Sequence, residues 1–179
     1  MDFTKIRELL WQSPELIKKN LKIIIGIGIV IIIAIFGFYA YRILTTPQPD
    51  EQFSVTLTRG ACFGACPIYS VTLNGKGIVN YKGDRFVKVT GERVYTVNVS
   101  NALQLRDYLR EQKIFSFNNR YEQRATDLPS FTLVVHDQGQ DKQIYVYGSK
   151  GIDNSVPEIL FDIADAVDAA AQDQSLVLR

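Results

Sequence analysis

Ile68-Tyr69-Ser70-Val71-Thr72-Leu73-Asn74-Gly75-Lys76-Gly77-Ile78-Val79-Asn80-Tyr81 is the stretch whose reading decides the fold. Two apolar-rich runs, Ile68 to Leu73 and Ile78 to Tyr81, flank Asn74-Gly75-Lys76-Gly77. Asn-Gly between such runs is among the strongest short-range signals for a β-hairpin. Upstream, Ser54 to Thr58 alternates in the same way. Downstream, Gly83-Asp84 turns the chain, and Phe86 to Val89 and Val94 to Val99 continue the pattern around Thr90-Gly91-Glu92, with β-branched residues suited to a pleated surface. These elements predict an antiparallel meander.

The pattern then changes period. Ser100 or Asn101 is placed to cap a helix on which Leu105, Tyr108, Leu109 and Gln112 follow the i, i+3, i+4, i+7 spacing, so its apolar side should pack on the sheet. A second hairpin follows, Phe131 to Val135 and Gln143 to Tyr147 around Asp137-Gln138-Gly139-Gln140. The last element begins near Ser155-Val156-Pro157-Glu158, and Leu160, Ile163, Ala164 and Val167 form its buried stripe. Strands, a helix, strands again and a helix predict an α+β domain, a mainly antiparallel sheet with two helices on one face.

At the N-terminal side of this domain lies Leu21 to Leu44, LKIIIGIGIVIIIAIFGFYAYRIL, with no charged residue between Lys22 and Arg42. At about 1.5 Å per residue such a run spans the roughly 30 Å hydrocarbon core, and in lipid a helix satisfies its own backbone groups. It reads as a single transmembrane helix, with a buried soluble helix as the alternative. A cleavable signal peptide normally has an apolar region of about 7 to 15 residues ending at a small-x-small site. Here the run is longer and leaves through Tyr39-Ala40-Tyr41-Arg42, which favours a permanent anchor.

Charge around the span sets an expected orientation. Lys5, Arg7, Lys18, Lys19 and Lys22 precede it, whereas Arg42 is the only basic residue after it until Arg59. The positive-inside rule puts the N-terminus in the cytoplasm. Phe36, Phe38, Tyr39 and Tyr41 suit an aromatic belt on the outer side, and the expected location is a bacterial inner membrane with the C-terminal domain in the periplasm. Residues 1–20 form a cytoplasmic interfacial segment: Phe3, Ile6, Leu10 and Trp11 share a face if Asp2 to Gln12 is helical, and Ser13-Pro14-Glu15 looks like the start of the helix that runs into the span. Residues 45–52 read as a polar linker stiffened by Pro47 and Pro49, residues 53–173 as the exported domain and residues 174–179 as a tail.

A net charge of +1 over 179 residues supplies no global field for nucleic acid or acidic substrates, and no basic patch interleaved with aromatics occurs. Gly26-Ile27-Gly28 lies within the span and is no phosphate loop; no Walker or nucleophile-elbow motif occurs. With one histidine, a Ser-His-Asp arrangement would have to use His136, and nothing nominates its serine. Glu158, Asp162 and Asp165 share one helix face with Asp168 close by. A solvated face opposite the apolar stripe is the plain reading, and a docking surface for a basic partner is the sharper one.

Cys62-Phe63-Gly64-Ala65-Cys66-Pro67 holds both cysteines of the chain. In an oxidising compartment Cys62 and Cys66 are expected to form a disulfide, with Gly60 and Gly64 giving the backbone freedom to close a small ring. A redox-active or metal-binding pair and two reduced thiols are the alternatives. The string Leu57 to Val71, LTRGACFGACPIYSV, with Gly77 to Gly83 and Thr126-Asp127-Leu128-Pro129-Ser130, resembles a bacterial domain family of unknown function with a CFGxCPxYxV signature followed by a hairpin. That resemblance implies an exported setting, usually as an exported protein or lipoprotein, and no reaction. CxxxCP after a single span is also similar to the Sco copper-delivery proteins. There two cysteines and a distant histidine bind copper on a thioredoxin fold, which would make Cys62, Cys66 and His136 the ligands here. A thioredoxin-like site opens a helix after the second cysteine, whereas the residues after Cys66 read as a strand.

The sequence therefore predicts a non-enzymatic, membrane-anchored exported domain that binds or scaffolds a partner, as an accessory subunit of a membrane protein complex. A thiol-redox or copper-handling factor is the rival class. No cofactor is expected, and any small-molecule ligand is left open. Ala34, Gly37 and Ala40 recur at three-residue spacing along the span, a small-residue stripe that lets a partner helix approach closely.

Overall fold

The computed structural model describes residues 13–172. The chain divides into two compact units, Met1–Thr46 and Pro47–Arg179. The segment Asp2 to Gln12, expected to lie on the membrane surface, and the tail 174–179 fall outside the described residues.

Within the first unit one helix, α1 (Ser13–Thr45), runs without a break. Its stretch Ile24–Leu44, with a mean hydropathy of 2.5, is long and apolar enough to cross a membrane. Ile25, Ile29, Ile32, Phe36 and Ile43 are all exposed, so no protein core takes up these side chains. The helix ends where both the backbone N–H and the hydroxyl of Thr46 donate to the Arg42 carbonyl, at 3.1 and 2.6 Å.

The second unit is a seven-stranded sheet with helices packed on it. Its strands are β1 (Asp50–Arg59), β2 (Ile68–Gly75), β3 (Ile78–Arg85), β4 (Gly91–Thr96), β5 (Arg120–Glu122), β6 (Ser130–Asp137) and β7 (Gln140–Tyr147). They lie in the order β4-β3-β2-β1-β6-β7-β5. The β1 to β4 meander and the β6–β7 hairpin are antiparallel, and only β5 runs parallel to its neighbour, β7. The helices are α2 (Val99–Glu111) and α3 (Glu158–Ala171), with a one-turn 3-10 helix at Ile114–Ser116.

Alternation decides which face is covered. Val55 and Leu57 on β1 sit beside Leu73 and Val71 on β2 and beside Val135 and Leu133 on β6, all of them buried. Val79, Tyr81, Ile144 and Val146 extend this apolar face, and Ala102, Leu105 and Leu109 of α2 and Leu160, Ile163 and Val167 of α3 complete the core. The opposite face carries Thr56, Thr58, Thr72 and Asn80, half-buried or exposed, with the Thr56 and Thr72 hydroxyls bonded at 2.8 Å. This is the expected α+β architecture.

At the turn of the first hairpin Gly77 has φ +77° and a Cβ there would lie 2.5 Å from the Val97 carbonyl, so only glycine fits. The Asn74 side chain accepts from the N–H groups of Lys76 and Ile78 at 3.0 and 2.9 Å, which fixes the turn.

Three expectations are corrected in detail, and one strand was not expected. The linker is shorter than 45–52, because Asp50 pairs with Gly75 and already belongs to β1. Its carboxylate accepts from Gln52 N–H at 3.0 Å and Arg106 at 2.8 Å, partners a polar sequence does not announce. Phe86 to Val89 is not a strand: Phe86 turns the chain with φ 58°, the Val89 carbonyl is held by the Tyr81 hydroxyl at 3.0 Å, and β4 begins at Gly91. Helix α2 is capped two residues before Ser100 and three before Asn101, by Asn98, whose side chain accepts from Ser100 N–H at 3.0 Å. The parallel strand β5 has no alternating pattern to reveal it, since its three residues rest on pairing with Tyr145 to Tyr147.

Candidate functional site

Register gathers the site at one end of the sheet. Arg59, the last residue of β1, pairs with Tyr69 near the start of β2 and with Phe131 near the start of β6, while Ser130 pairs with Tyr147 at the end of β7. The loops 60–67, 123–129 and 148–157 therefore emerge together, at the end opposite to where the chain enters β1.

The first of these loops is closed by a disulfide between Cys62 and Cys66, with Cα atoms 5.8 Å apart. Gly64, at φ 139°, makes the return inside the ring, and Phe63 projects from it 84% exposed. Gly60 ties the loop down: its N–H donates to the Ser130 carbonyl at 2.8 Å, and a Cβ there would lie 2.3 Å from Ser130 Oγ. The cysteines are thus brought together as expected.

Beneath the loop lies a charged cluster. Val55, Leu57 and Arg59 share the core-facing parity of β1, so the guanidinium enters the protein. There Arg59 Nε donates to the Tyr69 hydroxyl at 3.0 Å and to Asp168 Oδ2 at 2.9 Å, and Nη2 donates to Asp168 Oδ2 at 2.5 Å and Asp165 Oδ1 at 3.1 Å. The Tyr69 hydroxyl donates in turn to Asp168 Oδ1 at 2.7 Å. Nη1 takes part in none of these bonds. Burial by itself would lower the Arg59 pKa, but Asp168 and Tyr69 outweigh it and leave the guanidinium raised, firmly charged. Burial, reinforced by the Asp168 charge, raises the Tyr69 phenol far above its ordinary range and keeps it a neutral donor.

Above this cluster opens a cleft of about 270 Å³. Phe131 and Phe161, in an edge-to-face pair with centroids 5.9 Å apart, form its floor, and Pro67, Pro129 and Cys66 its rim. Arg59, Lys150, Asp165, Ser130 and Ser149 supply its polar wall. Lys150 Nζ is held at 2.6 Å from Asp162 and 3.3 Å from Asp165, which holds it in the charged form. The Ser149 backbone is fixed by the buried Gln123, which accepts from its N–H at 2.8 Å and donates to its carbonyl at 3.1 Å. The adjoining Gly148 leaves room for that amide, since a Cβ would come 2.6 Å from Gln123 Oε1. Chemically the arrangement presents donors: the carboxylates of Asp165 and Asp168 are spent on cations and Tyr69, while Nη1 of Arg59 stays available.

Two sequence readings change here, the solvated face and the rival copper-ligand set. Asp168 is no part of a solvated face; it is 7% exposed and, with Asp165, anchors Arg59. Its position was readable, because Asp168 follows Leu160 by eight residues and Ala164 by four and so lies on the predicted apolar stripe, where a carboxylate demands a buried partner. His136 stands apart from the cysteines: it pairs with Ser54, five residues before Arg59 on β1, about 17 Å along the strand, and its Nδ1 lies 2.5 Å from Asp141 Oδ1. The Cys62, Cys66 and His136 ligand set of the Sco comparison is therefore not assembled, and β2 follows Cys66 where a thioredoxin-like site has a helix. Among the described residues no group of three or more His, Cys, Asp or Glu side chains is placed to hold a metal ion. Ala34, Gly37 and Ala40 lie on α1, Ala34 and Gly37 exposed, and a Cβ added at Gly37 would meet no heavy atom within 4 Å.

A second ionic network sits at the other end of β1. Asp50 accepts from Arg106, and Arg110 grips the buried Asp137 with two bonds of 2.6 Å, tying the entry to β1, α2 and the β6–β7 turn together.

An α+β sheet domain with a disulfide-closed loop over a half-buried arginine, preceded by one long apolar helix, defines the class of protein. A family described as a domain of unknown function (DUF6438) matches residues 53–171, and the chain belongs to it. No curated protein matches the chain.

Proposed function

We propose that the chain is a non-enzymatic, membrane-anchored exported domain that binds or scaffolds a partner, as an accessory subunit of a membrane protein complex. The observation that carries this reading is the loop end of the sheet: a disulfide holds Phe63 84% exposed beside a cleft whose central arginine is fixed by Tyr69, Asp165 and Asp168. A large apolar side chain held rigidly in water next to an oriented cation suits recognition, because little conformational freedom is lost on contact. Engaged carboxylates suit a binding role better than proton transfer, which needs an acceptor with capacity to spare. In this reading α1 spans a bacterial inner membrane, with the N-terminus cytoplasmic and the domain periplasmic, as the lysines before Ile23 support. The stripe Ala34, Gly37 and Ala40 adds a second contact, where another helix packs closely. The CFGxCPxYxV string is the recognition loop of the family on this view.

The experiment purifies the full chain in mild detergent and quantifies co-purifying proteins for wild type, Phe63→Ser, Gly37→Ile and the off-stripe control Ile31→Leu. Loss of a specific partner in Phe63→Ser, with reduced recovery in Gly37→Ile, is expected. An identical set of proteins in all four preparations would overturn the binding role, and stoichiometric copper on the reduced protein would replace it with metal handling.

A further inference from the structure

Arg59 is held through two of its three guanidinium nitrogens. Four hydrogen bonds, through Nε and Nη2, fix its guanidinium, and the remaining nitrogen, Nη1, belongs to a side chain lining the cleft. Ser130, Ser149 and Lys150 line the same cleft, and Phe131 and Phe161 add apolar surface to it. We propose that this cleft binds a carboxylate carried on a small apolar group, as at the free C-terminus of a short peptide or in a small organic acid. The inference rests on the reading of the domain as a binding module and names what that module takes.

Donor inventory and size select this chemistry. The two cations on the wall, Arg59 and Lys150, already face Asp162, Asp165 and Asp168, so the selection rests on the donors left over and not on net charge, and a dianionic phosphate meets more repulsion from the carboxylates than a monoanion does. Asp168 lies below, already neutralised by Arg59 and bonded by Tyr69, and both oxygens of Asp165 face cations. Unused capacity on the wall is therefore mainly donor capacity, which rejects an ammonium and accepts an oxyanion. The guanidinium loses little rotamer freedom on binding because it is already held. A volume of about 270 Å³ exceeds the roughly 150 Å³ that accommodates benzene, leaving room for an apolar group beside the charged one.

The test uses the full chain, isotopically labelled and reconstituted in lipid nanodiscs, and follows the amide resonances of Gly60, Gly148 and Ser149. The probes are N-acetyl-alanyl-alanine, its C-terminal amide, butyrate and inorganic phosphate. Saturable shifts are expected with the acid, and binding weaker by about tenfold or more with the amide, which loses a charge-assisted bond, and with phosphate, which has no apolar group to set against Phe131 and Phe161. Butyrate separates the sources: affinity equal to that of the peptide means the backbone contributes nothing and the ligand is a small acid. Lys150→Gln changes an exposed side chain, so the fold survives, and about tenfold weaker binding of the acid is expected. Equal shifts from acid and amide, no saturable shift at millimolar probe, or unchanged affinity in Lys150→Gln each overturn the carboxylate assignment. If Phe63→Ser still loses its partner in that case, the binding role stands and only the ligand class falls. If the acid binds and no partner depends on Phe63, the binding-partner reading falls instead.

Discussion

Replacing Asp168 by Asn is the sharpest perturbation the structure offers, because it removes one charge and almost no volume. In the native protein the side chain takes two bonds from Arg59, at 2.9 and 2.5 Å, and one from the Tyr69 hydroxyl at 2.7 Å. The amide oxygen of Asn can still accept from Tyr69, but its nitrogen faces Arg59 with a donor. Removing one partner of a buried ion pair costs about 3 to 5 kcal/mol, chiefly because the remaining charge is stranded. Arg59 keeps 23% side-chain exposure toward the cleft and retains Asp165, so the cost belongs at the lower end, about 3 kcal/mol. For a domain of this size that is a fall in Tm of about 10 °C or more. The assay is thermal unfolding of the full chain in detergent followed by near-ultraviolet circular dichroism, which reports the packed tyrosines. Asp162→Asn is the control: its carboxylate is 52% exposed and bonded to an exposed Lys150, so about 0 to 1 kcal/mol is at stake. A triple change, Arg59→Met, Tyr69→Phe and Asp168→Leu, should recover much of the loss, since apolar replacement of all three partners leaves no buried polar group of the cluster unpaired. Equal Tm values for Asp168→Asn and Asp162→Asn would refute the claim that the buried pair organises the loop end.

The Cys62→Ala, Cys66→Ala double variant should lose about 2 kcal/mol, the chain-entropy value for so short a ring, measured by urea unfolding, and should keep the fold. A cysteine placed at Gln48, with Cys62 and Cys66 replaced by Ser, should react with a membrane-impermeant thiol reagent in intact cells; reaction only after lysis would reverse the proposed orientation. Alkaline pH should expose Tyr69. Its folded pKa is raised by burial and Asp168, so its contribution is complete below the ordinary phenol value near 10 and declines as pH rises beyond it, and Tm should fall between about pH 9 and pH 11 more steeply in wild type than in Tyr69→Phe. Asp50 has the opposite sign, since the Arg106 bond lowers its pKa: its contribution is present above the usual carboxylate range and is lost as pH falls below about 4, a loss that Asp50→Asn should abolish in acid titrations.

The parts of the fold that were legible are those set by local chemistry. Asn74 to Gly77 announced the hairpin because the turn needs a positive φ at Gly77, which excludes most residues, and the stripe Leu160, Ile163, Ala164 and Val167 announced α3 because burial repeats with the helical period. Phe86 to Val89 misled because apolar alternation was read as pairing, whereas the pleat is broken by the positive φ of Phe86 and the loop is held by Tyr81. Strand β5 and the early start of β1 depend on partners distant in sequence, so no local signal marks them. The disulfide was expected from compartment and spacing. The arginine behind it was not, although parity on β1 places Arg59 inward and helical period places Asp168 inward, and combining the two would have met the requirement that buried charges be paired.

The two ionic networks also explain how a strand entered from a linker can hold a fixed cluster at its far end. Asp50 starts β1 and is gripped by Arg106, while Arg110 on the same helix grips Asp137 where β6 turns into β7. At the other end Arg59 closes β1 against α3 through Asp165 and Asp168. Between them lie Val55 and Leu57, fully buried and paired on both sides with β2 and β6. Movement applied at the linker therefore meets one clamp before it reaches the core and must cross a packed sheet before it reaches the second. Packed interiors are stiff, so displacement at Asp50 should be absorbed by the first clamp rather than passed to the cleft. It follows that Asp137→Asn should loosen the β1 entry, seen as faster hydrogen exchange at Gln52 and Phe53, and leave exchange at Gly60 and Ser149 unchanged. Equal acceleration at both ends would mean that the clamps act as one unit and that movement at the linker reaches the disulfide-closed loop.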